Sequence, residues 1–444
     1  MPSKRTYRAT RIQSLDTTQL VERLPDGAPV VVGLDVAKHK MLVNLATGDN
    51  ETLAVVRFQH PQQTGEFAGL LEELKRHGHR TEVALEPTGT YGDAIRHQLQ
   101  RRDIPVYRVS TKHVSDATEV YDGVPSKHDA KDACVITWLH LMGRSAPWTA
   151  DDELKRNLRS LVALRDVYDA PLRRTYNQLG ALLARHFPEF EGLYDVRGRK
   201  TPLVLLAEFG SPAAIGETPV EDVAAVIRRA SRRRPDRSDV EDLVQRAADT
   251  VGVPMVDGER ELVRTLAKEA IRLLDARKVI DEKIKVAGAK APAIASMRSV
   301  LGAVTAAVVV AHMGSPEDYG SAAAVEKAAG LNLTEHSSGK RKGGVHISKR
   351  GPARVRKYLF IAAMRLVQTD PIVRAWYRRR RAYTEEAKLR ALLAVVRKLA
   401  RALVHVARGA AFDASKLFDV RRLDLAVAED SGASDELPDL AAVA

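Results

Sequence analysis

The segment that most constrains this chain is residues 29–44, PVVVGLDVAKHKMLVN. An apolar run climbs to one carboxylate, Asp35, and a second apolar run follows the polar turn at Lys38, His39 and Lys40. Short apolar runs bounded by a polar turn read as buried strands. A charge at the end of such a strand is strongly disfavoured unless it is paired or binds a metal. Asp35 is therefore either the turn residue of an ordinary strand or the first member of a carboxylate site. Acids at matching later places decide between the two.

Residues 81–85 form another apolar strand that ends in an acid, Glu86, before a glycine-containing turn (87–92) opens a helix. Neighbouring strands that both end in acids set like charges side by side, and these repel unless a divalent cation lies between them. The milder reading makes Glu86 a helix-start residue favoured by the dipole, which suits one acid better than two. SKHDAKDA (126–133) then runs into CVITWLHLM. Ser126 reads as an N-cap with Asp129 three residues on, and Asp129 and Asp132 share one helix face. Alone, this is a solvated first helical turn. With Asp35 and Glu86 it completes an ordered set, Asp, Glu, Asp, Asp, whose hard oxygens suit Mg²⁺ or Mn²⁺.

The charge is +13, and its placement says more than its size. Between Gly339 and Arg381 stand fourteen Lys and Arg and one acid, Asp370, a surplus that equals that of the whole chain. Local basicity of this kind marks a face for a polyanion, most simply nucleic acid. The single cysteine, Cys134, excludes an internal disulfide and a CxxC zinc site and fits a reducing compartment. No apolar run approaches the length of a membrane span, and the N-terminal MPSKRTYRATR has no hydrophobic signal core. The expectation is a soluble, cytoplasmic protein with no membrane partner.

Strands are expected over 30–35, 41–46, 52–58, 81–85 and 105–109, with helices over 62–76 and 91–100. Three strands in meander followed by alternating helix and strand is an α/β layout. From 151 the leucines Leu154, Leu158, Leu161, Leu164, Leu172 and Leu179 mark a long amphipathic helix, bent at Pro171, and a second covers 259–286. The pair reads as an antiparallel hairpin or a coiled-coil dimerisation arm, with packing inside one chain the plainer alternative. Between them, 189–254 is a mostly helical insert with an arginine cluster (Arg228, Arg229, Arg232, Arg233, Arg234, Arg237). SMRSVLGAVTAAVVVAHMG (296–314) looks like helix–hairpin–helix elements that hold a DNA backbone through main-chain amides. A helix over 321–330, a loop of serines, glycines and cations (331–352) and basic helices to about 411 follow. The fold class is thus α/β plus all-α. Its parts are a mobile basic arm (1–28), an α/β metal-binding domain (29–148), a helical arm (149–291), a helical C-terminal domain (292–412) and an acidic, disordered tail (413–444).

GLDVAKHK, LEPTGTYGDAIR and SKHDAKDACVI resemble the three acidic motifs of the DEDD transposases, the one-ten family of bacterial insertion sequences. LGAVTAAVVVAHMG and AAGLNLTEHSSGKRKGGVHISKRGPARVRKYL resemble the C-terminal transposase domain of the same family. The resemblance covers about residues 30–145 and 292–370 with motif order intact. It implies an RNase H-like (RuvC-like) domain joined by a helical coiled-coil arm to a mainly helical domain with a nucleophilic serine. It also implies a DNA transposase or recombinase that cuts and rejoins donor and target DNA, guided by a structured bridge RNA from the element itself. A homo-oligomer, dimer or tetramer, working at the bacterial nucleoid is implied too.

Position by position, the resemblance makes Asp35, Glu86, Asp129 and Asp132 the metal set. In HSSGK (336–340) it makes the serine before the glycine, Ser338 rather than Ser337, the nucleophile. The cations Lys340, Arg341, Lys342, Lys349, Arg350, Arg354, Arg356, Lys357, Arg378, Arg379, Arg380 and Arg381 become the nucleic-acid-binding candidates. Two features depart from the family: RSVLG (298–302) replaces its Pro-Gly-Val-Gly turn, and the 189–254 insert is longer. Without the resemblance, Ser337 and Ser338 read as a phosphate-contact loop. A RuvC-like nuclease or Holliday-junction resolvase, with water as the nucleophile, is the alternative enzyme. An actin-like ATPase would need a glycine-rich phosphate loop where residues 36–40 have no glycine, and a nucleic-acid scaffold would have no use for four spaced acids.

Overall fold

The computed structural model describes residues 7–423 apart from 88, 127, 198, 232–233, 336–342 and 382–383. It divides into two compact units, Met1–Ala150 and Asp151–Ala444.

The first unit is built on a mixed sheet of seven strands: β1 (Thr10–Arg11), β2 (Val30–Asp35), β3 (Lys40–Thr47), β4 (Thr52–Gln59), β5 (Thr81–Leu85), β6 (Val106–Val109) and β7 (Ser145–Pro147). Their order is β1-β4-β3-β2-β5-β6-β7. β2, β3 and β4 form the expected antiparallel meander, and β5 and β6 continue the sheet parallel to β2. Among the described residues five α-helices accompany it: α1 (Thr17–Glu22), α2 (Thr64–Arg76), α3 (Asp93–Gln100), α4 (Thr111–Asp122) and α5 (Asp129–Leu141). β2 is buried along its length until Asp35, and a run of Val and Leu with no alternation is what a strand covered on both faces requires.

The N-terminal arm is corrected by this arrangement. Residues 10–24 are part of the unit: β1 pairs parallel with β4, and Ile12, Leu20 and Leu24 are buried. Those three side chains, scattered among cations, supply the apolar surface that anchors the arm. Neither α4 nor β7 was expected from sequence.

The second unit is helical. α6 (Glu153–His186) and α12 (Asp257–Gly288) are its long members, and between them lie α7 (Phe190–Leu193), α8 (Lys200–Phe209), α9 (Pro212–Gly216), α10 (Val220–Ala230) and α11 (Arg237–Ala248). Arg165 pairs with Asp281, Asp169 with Arg277 and Arg185 with Glu259, so α6 and α12 run antiparallel within one chain. α6 continues through Pro171, whose ring is exposed while Leu172, Thr175 and Tyr176 on the other face are buried. The insert has its own core, in which Phe187, Phe190, Leu203, Val223 and Leu243 pack with Leu179 and Ala270. Arg232 and Arg233 of its cluster lie outside the described residues, while Arg229 pairs with Glu208 and Arg237 with Glu221 and Glu241.

A second core joins the other ends of α6 and α12 to α13 (Pro292–Leu301), α14 (Ala303–Met313), α16 (Ala353–Thr369), α17 (Pro371–Arg380) and α18 (Glu385–Ala407), and α15 (Ala322–Ala328) packs against α18. The tail starts later than expected: Ala414 and Phe418 are buried, and the Phe418 ring lies 4.9 Å from that of Trp376. The acidic residues expected to be disordered, from 429 on, lie outside the described residues. No described helix is long and apolar enough to cross a membrane.

Candidate active site

Leu34 of β2 pairs with Leu85 of β5, and Asp35 and Glu86 are the next residues of these parallel neighbours. Both acids therefore leave the sheet at its C-terminal edge, on adjacent strands. The position of α5 follows from three contacts along its length. His140 Nε2 lies 3.1 Å from Glu82 Oε2, in the row of Val31. Asn44 Nδ2 donates to Thr137 Oγ1 at 3.0 Å, in the row of Gly33. Ala130 packs with Leu42, the register partner of Asp35. Ten residues of helix and four of strand span similar lengths, about 15 and 13 Å, so α5 lies along the sheet with its first turn at the Asp35 end. That first turn carries Asp129 and Asp132.

Gly33 permits this packing. A Cβ on Gly33 would stand 2.2 Å from the Ala133 carbonyl oxygen and 2.3 Å from Thr137 Oγ1. A glycine inside an otherwise apolar strand is the sequence sign of such a close approach.

The structure thus brings all four predicted acids to one end of one sheet. Asp132 is buried, Asp35 and Glu86 are half-buried and Asp129 is exposed. Among the described residues, no group of three or more His, Cys, Asp and Glu side chains is gathered tightly enough to hold a metal ion. The donor set is right in chemistry for a hard divalent cation and convergent in location, but it is not drawn into a coordination shell.

Ser126 does not cap α5. His128, itself extended, takes that place, its Nδ1 accepting from the Lys131 amide at 3.2 Å. The Ser126 carbonyl instead accepts from Lys131 Nζ at 3.3 Å. Lys131, between the two aspartates, is fully buried and also donates to Asp122 Oδ1 at 2.7 Å and to the Val124 carbonyl at 2.6 Å. All three ammonium protons are used, and the 122–126 loop is tied to the helix that presents the acids. A second buried cation, Arg96, stacks over Trp148 at 3.7 Å and pairs with Asp93. Neither cation carries a signal in a single sequence, where Lys and Arg read as surface residues. Cys134 packs beneath the same turn, and burial pushes its thiol up to about 12, which makes it a packing residue.

The Lys131 ammonium, helped by the Tyr7 hydroxyl and the Val124 amide, holds the Asp122 carboxyl down at about 2 against the effect of burial. A depressed carboxylate contributes stability that is complete above its unfolded value, about 3.9. That contribution is lost as pH falls through 2. Lys131→Met leaves the Asp122 carboxylate buried without its partner and is expected to destabilise the first unit by about 3–5 kcal/mol near neutrality. Thermal melts of the two proteins should converge as pH falls from about 4 to about 2. A gap that stays constant over that range would mean that this pair is not what titrates.

Ser338, together with Lys340, Arg341 and Lys342, lies outside the described residues. The chain enters that segment from β8 (Leu333–Glu335) and leaves it in β9 (Val345–Ile347), and these strands pair antiparallel where sequence suggested only loop. Gly302, with φ of 77°, joins α13 to α14 at the turn that departs from the family pattern. Of the candidate cations, Arg354 is paired with Asp166 at 2.7 Å, and Arg356 donates to the Gly351 carbonyl at 2.7 Å. These two are engaged within the fold. Lys349, Arg350, Arg379 and Arg380 are exposed; Lys357, Arg378 and Arg381 are partly so.

The first matched stretch, residues 32–188, fits a family profile described as a transposase and contains all four acids. The second, residues 293–378, fits the transposase IS116/IS110/IS902 family and contains Ser338. The chain belongs to the IS110 family of transposases. An uncharacterized protein of insertion element IS110 from Streptomyces coelicolor is 29% identical over 310 residues, 67% of this chain and 75% of that one. Its counterpart from IS116 of Streptomyces clavuligerus is 28% identical over 356 residues, 79% of this chain and 88% of the relative. A protein of IS900 from Mycobacterium paratuberculosis is 27% identical over 278 residues, 61% and 69% of the two chains. As a member of this family the transposase acts on DNA, and the carboxylate end of its sheet is the place in the first unit where acids converge.

Proposed function

We propose that this transposase cuts and rejoins donor and target DNA by serine attack on a phosphodiester, with the carboxylates at the Asp35 end of the sheet as its metal-binding acids. The observation that carries the reading is the shared level of Asp35 and Glu86 on adjacent strands, with the Asp129–Asp132 turn laid over the same end. The meander followed by parallel strands supports an RNase H-like domain.

Asp35, Glu86, Asp129 and Asp132 would hold a divalent cation, Mg²⁺ or Mn²⁺. When bound, it supplies charge neutralisation at the scissile phosphate. The other chemistry falls to residues of the chain. The Ser338 oxygen attacks phosphorus and the bond to one bridging oxygen of the strand breaks. The serine proton is given up as that oxygen gains one, which leaves a phosphoserine link and a free strand hydroxyl. Lys340, Arg341 and Lys342 hold the phosphate and stabilise charge on the attacking oxygen. A hydroxyl from another strand reverses the step, so rejoining needs no external energy source. A bridge RNA transcribed from the element and an assembly of at least two copies belong to the same reading, because exchanging two duplexes takes more than one active site.

Asp35→Asn removes one carboxylate and adds no bulk. Recombination in Mg²⁺ is expected to fall below detection, while nucleic-acid affinity, measured alongside, stays at the wild-type level. Wild-type turnover by this variant would remove the acidic site from the mechanism.

A further inference from the structure

We infer that the sheet edge beside the carboxylates carries a second site, a groove for the sugar–phosphate backbone of a nucleic-acid strand, walled by Arg11, Arg57 and Lys40. The register across the sheet sets the two arginines in line with Asp35: Arg11 of β1 pairs with Arg57 of β4, Arg57 with Leu42 of β3, and Leu42 with Asp35, while Lys40 stands two residues along β3 from Leu42, opposite Gln59. Register partners share a face. On that face Ala9, Leu42 and Val55 pack with Ala130 and Cys134 of α5, whereas Ile12, Val56 and Phe58 pack on the opposite one. Two to three strand spacings of about 4.8 Å place Arg57 about 10 Å and Arg11 about 15 Å from Asp35. That is the length of roughly three or four nucleotides along one strand.

Charge supports the assignment. Arg11, Arg57 and Lys40 are exposed, and none of them has an ion-pair partner among the described residues. Like charges set opposite each other on neighbouring strands repel, so an anion lying across Arg11 and Arg57 would be stabilised there. The three cations border an open cavity of about 800 Å³ whose other polar walls are Gln13, Gln59, Gln62 and Gln63, with no carboxylate lining it among the described residues. Arg11 and Arg57 stand in one row and Lys40 two residues along the next strand, so the cations are spread out rather than converging on a point, which suits successive phosphates better than one small anion. Glutamine amides add neutral donors of the kind that contact phosphate and sugar.

The groove's role as a guide to the cut site rests on the active-site proposal, but its binding does not. Binding is therefore measured without Mg²⁺, so that a failure of the catalytic reading leaves this result standing. The probes are a fluorescent single-stranded DNA of about 20 nucleotides, the same sequence as RNA, and the DNA duplex, titrated into the full chain at several salt concentrations. In Arg11→Gln/Arg57→Gln the slope of log affinity against log salt should fall by about 1.4 for a single strand, or about 1.8 for a duplex. The probe that responds names the strand. Lys40→Gln, at the start of β3 and outside the β1–β4 pairing, should lower the slope by about half as much and serves if the double variant does not fold. Unchanged slopes for all three probes would overturn the inference.

Discussion

Ser338→Ala is expected to bind nucleic acid like the wild type and yet form no denaturation-resistant protein–DNA adduct and no recombinant product. The variant loses one hydroxyl. In a segment of serines, glycines and cations that change should alter stability by about 0.5 kcal/mol or less, so lost activity reports on chemistry. If water attacked at the acidic end instead, Ser338 would be dispensable and cleaved products would appear without an adduct. The neighbouring Ser337→Ala is expected to keep partial activity, since the serine that stands before Gly339 is the one assigned. Gel analysis of DNA-bound protein after denaturation separates the cases. Adduct formation by Ser338→Ala, or complete loss only in Ser337→Ala, would move the nucleophile to Ser337. Recombination by the double variant would end serine chemistry here.

Gly33→Ala should be the most damaging small substitution in the first unit. Its methyl group would meet the Ala133 carbonyl oxygen at 2.2 Å and Thr137 Oγ1 at 2.3 Å, and a helix backbone cannot swing aside as a side chain can. Either α5 lifts from the sheet or β2 bends. Both separate the Asp129–Asp132 turn from Asp35, and the loss in stability should reach about 3 kcal/mol or more, the upper end for overpacking. Gly69 is the contrast. It lies inside α2 with nothing within 4 Å of an added Cβ, so Gly69→Ala should stabilise by about 0.5–1 kcal/mol. Thermal melts and recombination assays on the two variants check the pair of expectations. A well-folded, active Gly33→Ala protein would mean that α5 does not need its flush seat.

The core strands and most helices were legible because their signals are local. Apolar runs ending in polar turns put β2 and β5 at 30–35 and 81–85, and leucine spacing marked α6 and α12 close to their true limits. α4 was missed although Val114, Ala117 and Tyr121 lie at helical spacing; β1 and β7 had no local period. β1 is two residues long and exists because β4 offers it an edge, and β7 is three residues of small side chains. The N-cap of α5 went to His128 rather than Ser126 because the loop before it is held by Lys131, whose partners are set by folding.

The sequence alone places Asp35 and Glu86 after apolar strands and Asp129 and Asp132 in the first turn of a helix, and the motifs around them carry the resemblance to the family. Tertiary structure alone decided that they meet at one end of the sheet: parallel pairing sets Asp35 level with Glu86, and Gly33 lets α5 lie flat enough to bring Asp129 and Asp132 to the same edge. It also decided which cations are structural. Lys131 and Arg96 are buried with partners, whereas Arg11 and Arg57 are aligned and exposed by the pairing of two strands whose sequence positions lie far apart. Sequence specifies charge residue by residue. Where a charge is desolvated, paired or left facing water depends on chain segments that only the fold brings together.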